Sequence, residues 1–295
     1  MSTPPITFPD TSAGEIPLEE PRPPAYDPDN PPWGLGGALG ILILSFVLMV
    51  VTQVCLLIPY TLWRGVKLDA LGEFALKDPG ALFMQIVSIV PAHLLTLGAT
   101  WLLVTRIGKH PFLKTLGWEW GRGFSFWRCV GLALLLYLTG MSILYYSAPV
   151  DNALERLVQS SRAAALATAF AATFTAPLVE ELVFRGLLYS SLKRLAGTVC
   201  AVVVVVLLFA LIHVPQYWPS YGVIATILLL SFTLTMIRAR TGRLLPCFVI
   251  HLIFNGIQSV LIVLDPYLKS YVEKNPAPAP GLLVELLLRL VGAAF

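Results

Sequence analysis

From Leu35 to Trp63 the chain runs 29 residues without a charged side chain, and further apolar runs of similar length follow it through most of the sequence. A bilayer core of ~30 Å needs roughly 20 apolar residues in helical form. Only a helix or a closed barrel satisfies its own backbone polar groups inside lipid, and runs this long and continuous read as helix. The spacing therefore predicts an all-α membrane protein, a polytopic bundle of seven to eight transmembrane helices. Spans are expected near residues 36–63, 82–105, 125–147, 163–179, 199–213, 221–237 and 244–264, with Leu282–Phe295 as either a last span or a surface helix. Composition agrees: 57% of the 295 residues are hydrophobic, 13% are charged and the mean hydropathy is +0.77, far from soluble averages.

Residues 1–35 hold ten prolines, six acidic residues and one arginine. Such a segment cannot bury enough apolar surface to offset its ordering entropy, so it is expected to be a disordered tail. No short apolar segment with a basic flank precedes Leu35, so the first span is expected to stay as an anchor. Residues 36–159 then form the N-terminal transmembrane helices, 160–264 a transmembrane core and 265–295 a C-terminal segment with a short helix. Cys55, Cys129, Cys200 and Cys247 are widely separated and read as packing residues.

Positive charge gathers at Arg106, Lys109, Lys114, Arg122 and Arg128, and again at Lys193, Arg194, Arg238, Arg240 and Arg243. If the spans alternate, these loops share one side, and the positive-inside rule puts them and the N-terminus in the cytoplasm. Arg64, Lys67 and Lys77 oppose that assignment. The net charge of +3 is small and scattered, which excludes a nucleic-acid partner. Trp63, Trp118, Trp120, Tyr217 and Trp218 flank apolar runs and read as interfacial anchors; the alternative for Tyr217 and Trp218 is substrate binding beside His213.

Inside this apolar background the polar groups are few. Glu180 and Glu181 are the only acids between Glu155 and Asp265. An ionisable group at membrane depth is costly and marks a functional site. Residues four apart share a helix face, so Glu181 and Arg185 are expected to form an ion pair that fixes the helix. Glu180 then has no local partner and is free to exchange a proton with a water as a general base. Pro177 is expected to kink or restart the helix just ahead of it. His213 ends one apolar run. His251 and Asn255, four apart on another, should turn toward the bundle interior, where partners exist. His93, beside Pro91, reads as interhelical glue.

In order and spacing these residues resemble the motifs of the CAAX prenyl protease 2 and bacteriocin-processing family of intramembrane proteases, called CPBP, ABI or Rce1-like. The matches are EExxxR at Glu180, Glu181 and Arg185, FxxxH at Phe209 and His213, and HxxxN at His251 and Asn255, over about residues 160–262. The resemblance implies an endopeptidase in which Glu180 and His213 activate a water, His251 and Asn255 donate to the oxyanion, Glu181 and Arg185 hold the site together and Phe209 packs beneath His213. Its substrate would be a membrane-associated protein or peptide, with a lipidated C-terminus as one form.

Glu180, His213 and His251 would also be the ligands of a zinc ion, should one be used. No HExxH is present, and the reading favoured is glutamate-activated water with no obligatory cofactor. Two other classes compete: a non-enzymatic immunity or scaffold protein of the same family, and an ion- or proton-coupled transporter, for which no inverted pair of broken spans is found. In every case the chain is an integral multi-pass protein whose partner is the lipid bilayer, in the plasma membrane if the cell is prokaryotic.

Overall fold

The computed structural model describes residues 27–147 and 157–274. The chain is an all-α polytopic membrane protein. Its elements are α1 (Leu35–Trp63), α2 (Leu71–Lys77), α3 (Pro79–Thr105), α4 (Phe112–Thr115), α5 (Phe126–Tyr145), α6 (Arg162–Phe170), α7 (Ala176–Glu180), α8 (Tyr189–Tyr217), α9 (Tyr221–Thr241) and α10 (Leu245–Lys274), with a 3₁₀ turn at Leu68–Ala70. Two π-helical segments, Ala171–Thr175 and Glu181–Leu188, join α6, α7 and α8 into one helical run.

Helix starts follow local chemistry. Asp78 accepts from Ala81 N at 2.9 Å with Pro79 as the first helical residue of α3, and Ser161 accepts from Ala164 N at 3.1 Å to open α6; both side chains satisfy N–H groups that a helix leaves orphaned. Gly242, at φ 67°, ends α9 in the left-handed conformation that glycine adopts without strain.

Among the described residues, six helices are long and apolar enough to cross a membrane: Leu35–Trp63, Pro79–Thr105, Phe126–Tyr145, Arg162–Tyr217, Tyr221–Thr241 and Leu245–Leu268. Counted as helices these are fewer than the expected seven to eight spans, because the runs expected at 163–179 and 199–213 are the two parts of one 56-residue stretch. Straight, it would extend roughly 84 Å, far beyond a bilayer core of ~30 Å. Instead it folds back at Gly197, whose φ of 82° and ψ of 171° are not helical. Phe184 and Phe209, on opposite sides of that glycine, bring their ring centroids to 5.1 Å. The two arms therefore lie antiparallel.

Buried side chains form two apolar clusters. One joins α1, α3, the π segment at Glu181 and α8 through residues such as Val104, Leu182, Phe184 and Phe209; the other joins α5, α9 and α10 through Tyr137, Leu234, Ile250 and Phe254. The outer faces carry exposed Ile43, Val50, Leu135, Leu138, Val203 and Leu207, the surface that lipid would cover. The run at Arg162–Leu188 lies where the two clusters meet, and that junction is where the intramembrane polar residues collect.

Arg106, Arg194 and Arg238 all donate to carbonyls of the segment Pro28–Trp33, and Arg243 pairs with Glu119 at 2.8 Å. The basic loops thus share one end of the bundle. These contacts also shorten the expected tail: Asp27–Gly34 is held against the bundle, and Trp33 is buried. Helix α10 continues past residue 264 to Lys274 with Pro266 inside it, so it does not end at the expected boundary. Residues 1–26 and the segment Leu282–Phe295 lie outside the described residues.

Candidate active site

The catalytic candidates come from three helical segments. Glu180 closes α7 and Glu181 opens the π segment that follows it. Pro177 lies in the first turn of α7, where the chain leaves one π segment and resumes the α-helix. In that first π segment Ala176 N bonds to Ala171 O, five residues back. The next such bond would run from residue 177 to Ala172 O, and proline has no N–H to give. Asn255 fills the place, donating Nδ2 to Ala172 O at 2.9 Å from α10.

Glu181 and Arg185 are both 0% exposed and lie 2.9 Å apart. Arg185 is otherwise satisfied by α9: Nε donates to Thr235 Oγ1 at 3.3 Å, and one terminal nitrogen to Ser231 Oγ at 2.8 Å and Ser231 O at 3.2 Å. Its guanidinium carbon also stands 4.3 Å from the centroid of Phe209, a desolvated cation–π contact. Ser231 and Thr235 were not singled out in the sequence. Their spacing of four on an apolar helix was the available signal.

His251 contacts both acids. Its Nδ1 lies 2.8 Å from Glu181 Oε1, and its Nε2 lies 3.7 Å from Glu180 Oε2. His213 approaches the other oxygen, with Nε2 3.9 Å from Glu180 Oε1. The Nδ1 of His213 is 2.7 Å from the carbonyl of Phe209; a carbonyl only accepts, so that nitrogen carries the hydrogen. In the neutral ring Nε2 then offers its lone pair toward Glu180. The Phe209 ring lies 4.7 Å from the His213 ring. His251 thus stands between the two acids, bonded to Glu181 through Nδ1 and 3.7 Å from Glu180 through Nε2.

The Glu180–imidazole separations exceed hydrogen-bond length and open into a cavity of about 140 Å³, which has room for several waters. Beyond Glu180, His213, His251 and Asn255, its wall includes Gln216, Tyr217, Thr226 and Gln258, with Tyr137, Met141, Leu144, Ile227, Leu230 and Phe254 supplying apolar surface. Tyr217, read chiefly as an interfacial anchor, lines this cavity. Trp118 packs on Phe248 with centroids 5.0 Å apart. A second cavity of about 80 Å³ lies behind Glu180 and is lined also by His93 and Ser45. His93 ties α3 to the site's helix through Thr175 Oγ1, 2.8 Å from Nδ1.

Glu180 turns different oxygens to the two rings, and among the described residues no group of three or more His, Cys, Asp and Glu side chains has an arrangement that could hold a metal ion.

An apolar helical bundle here encloses a carboxylate, two imidazoles and space for several waters, a set of groups that can activate a water. Residues 162–257 match the family described as type II CAAX prenyl endopeptidase Rce1-like. That family is one of proteases. No match to a curated protein or to a solved structure was found. The matched segment contains every motif residue named above, whereas His93 and the α5 wall of the cavity lie outside it.

Proposed function

We propose that the protein is an intramembrane endopeptidase in which Glu180 activates a water against a peptide carbonyl of a membrane-associated substrate. The observation that carries this reading is the carboxylate of Glu180, with one oxygen toward each imidazole Nε2, at 3.9 and 3.7 Å, across an internal cavity. A water there can give one hydrogen bond to Glu180 and one to His213 Nε2, leaving a lone pair for attack. Glu180 takes the water's proton as the C–O bond forms. The oxyanion is met by the second N–H of Asn255 and, in the form of His251 that carries a hydrogen on both ring nitrogens, by its Nε2–H, while Nδ1–H is held by Glu181. As the C–N bond breaks, Glu180 returns the proton to the leaving amine.

The apolar wall from α5, α9 and α10 suits hydrophobic side chains or a lipid chain near the scissile bond, while Gln216, Gln258 and Tyr217 offer hydrogen bonds to a peptide backbone. A prenylated C-terminus is the substrate the family suggests; in a cell without prenylation another membrane peptide would take its place. The basic end of the bundle, with the segment before α1, is assigned to the cytoplasm.

The test is cleavage of membrane-tethered precursors by purified protein in nanodiscs. Glu180→Gln should lower kcat by about 10²–10⁴-fold with folded yield retained, and chelators should leave wild-type turnover unchanged. Full cleavage by the Glu180→Gln variant rules out this mechanism. Loss on chelation and recovery with added zinc would make Glu180, His213 and His251 metal ligands instead. Full biological activity in both Glu180→Gln and His213→Gln would assign a non-enzymatic immunity or scaffold role.

A further inference from the structure

The segment ahead of α1 is laced to the basic end of the bundle. Lys193 Nζ meets Asp29 Oδ2 at 2.6 Å. Arg194 donates to Pro31 O and to Trp33 O, each at 2.7 Å, and Trp33 Nε1 donates to Leu187 O at 3.3 Å. Lys193, Arg194 and Leu187 all belong to the helical run that carries Glu180 and Glu181, so this strap is fastened to the helix of the site.

Arg238 extends the connection inward. It is 0% exposed, and the hydrolytic mechanism makes no use of it. One terminal nitrogen donates to Pro28 O at 3.1 Å and Ser190 Oγ at 3.2 Å and stands 4.0 Å from Asp29 Oδ1; the other donates to Gly242 O. Nε donates to the backbone carbonyl of Arg185 at 3.0 Å. One buried guanidinium therefore joins the strap to the backbone of the residue whose side chain pairs with Glu181. A buried cation needs this degree of satisfaction, and Asp29 is the carboxylate that faces it.

We propose that Arg238 is a positioning residue of the hydrolytic site and that the strap, through Asp29, holds it in register. The inference rests on the endopeptidase reading given above. Arg185 lies in the π segment Glu181–Leu188, a helix form that is rare and frequent at functional sites. Pinning its carbonyl sets the height of its side chain, which sets Glu181, which orients His251 against Glu180. A displacement of 1 Å at a reacting group can cost on the order of 10²-fold in rate, so a strap at the membrane surface can govern chemistry at membrane depth.

The test uses the full chain in nanodiscs with Asp29→Asn, Asp29→Glu and Arg238→Lys, and Glu180→Gln as reference. Two readouts are taken: modification of His251 by diethyl pyrocarbonate, followed by mass spectrometry, and the kcat and KM for a farnesylated CAAX reporter peptide. Asp29→Asn should speed His251 modification at least about fivefold and lower kcat about 10-fold with KM within twofold, at an unchanged thermal midpoint; Arg238→Lys should do the same when read well below a thermal midpoint that the lost planar fork lowers. Asp29→Glu, which keeps the charge, should behave as wild type. Unchanged His251 protection in Asp29→Asn and Arg238→Lys overturns the inference, as does loss of protection that accompanies unfolding of the whole bundle. If His251 protection falls as expected while Glu180→Gln still cleaves, or while the wild type leaves the reporter intact, the hydrolytic reading of the site fails instead.

Discussion

Asn255 donates from Nδ2 to the carbonyl of Ala172 at 2.9 Å, across the gap between α10 and the π turn that precedes Pro177. The bond takes up an acceptor that proline leaves without a donor, and it places the second amide hydrogen of Asn255 beside the cavity that contains Glu180. Structure and proposed chemistry therefore meet in one side chain.

Replacing Asn255 separates the two. Asn255→Leu leaves the Ala172 carbonyl unpartnered, which should cost about 1–3 kcal/mol of stability, and removes an oxyanion donor, which should lower kcat by about 10²–10³-fold. Denaturant titration and turnover in the same preparation measure the two effects, and a stability loss with normal kcat would remove Asn255 from the chemistry.

Arg185→Ala strands Glu181 in a fully buried position. Only one carboxylate oxygen has partners; Oε2 is buried with no hydrogen-bond partner among the described residues. Loss of the guanidinium should cost about 3–5 kcal/mol, seen as reduced folded protein. Arg185→Lys should recover little of it, since an ammonium cannot span Glu181, Ser231 and Thr235 as a planar fork does.

His213 is partly exposed, at 17%, and makes no buried ion pair. His213→Gln should therefore fold with a thermal midpoint close to wild type while kcat falls by about 10²-fold or more. A midpoint that falls as steeply as the rate would show His213 to be chiefly a packing residue.

Gly140 lines the cavity from α5, and a Cβ there would come within 2.6 Å of Thr226 Cγ2. Gly140→Leu should force α5 from α9 and fill the apolar wall, raising KM more than it lowers kcat. Thr226→Ala should ease the contact and restore part of the binding.

Much of this bundle can be read from the residues because lipid makes polarity scarce. Glu180, Glu181, Arg185, His213, His251 and Asn255 stand out against runs such as Cys200–Ile212, and the ion pair needs only the spacing of helix faces. Span positions are legible for the same reason. The parts that escape such reading depend on contacts between segments distant in sequence. Nothing local to His251 says that Glu181 will hold its Nδ1. Ser231 and Thr235 look like ordinary helix hydroxyls until Arg185 reaches them. The π turns arise where tertiary pairing outweighs the α-helical register, and Arg238 reads as a topology-setting charge although it is fully buried.

The reversal at Gly197 makes neighbours of two motifs about 25 residues apart in the sequence, Glu180–Arg185 and Phe209–His213. A hairpin of that length closes at small entropic cost, so this half of the machinery can pair as soon as both arms leave the ribosome. His251 follows nearly forty residues later on α10. During synthesis, Glu180 would face no second imidazole until α10 docks, which would keep the proposed hydrolase silent until that helix has entered the bundle.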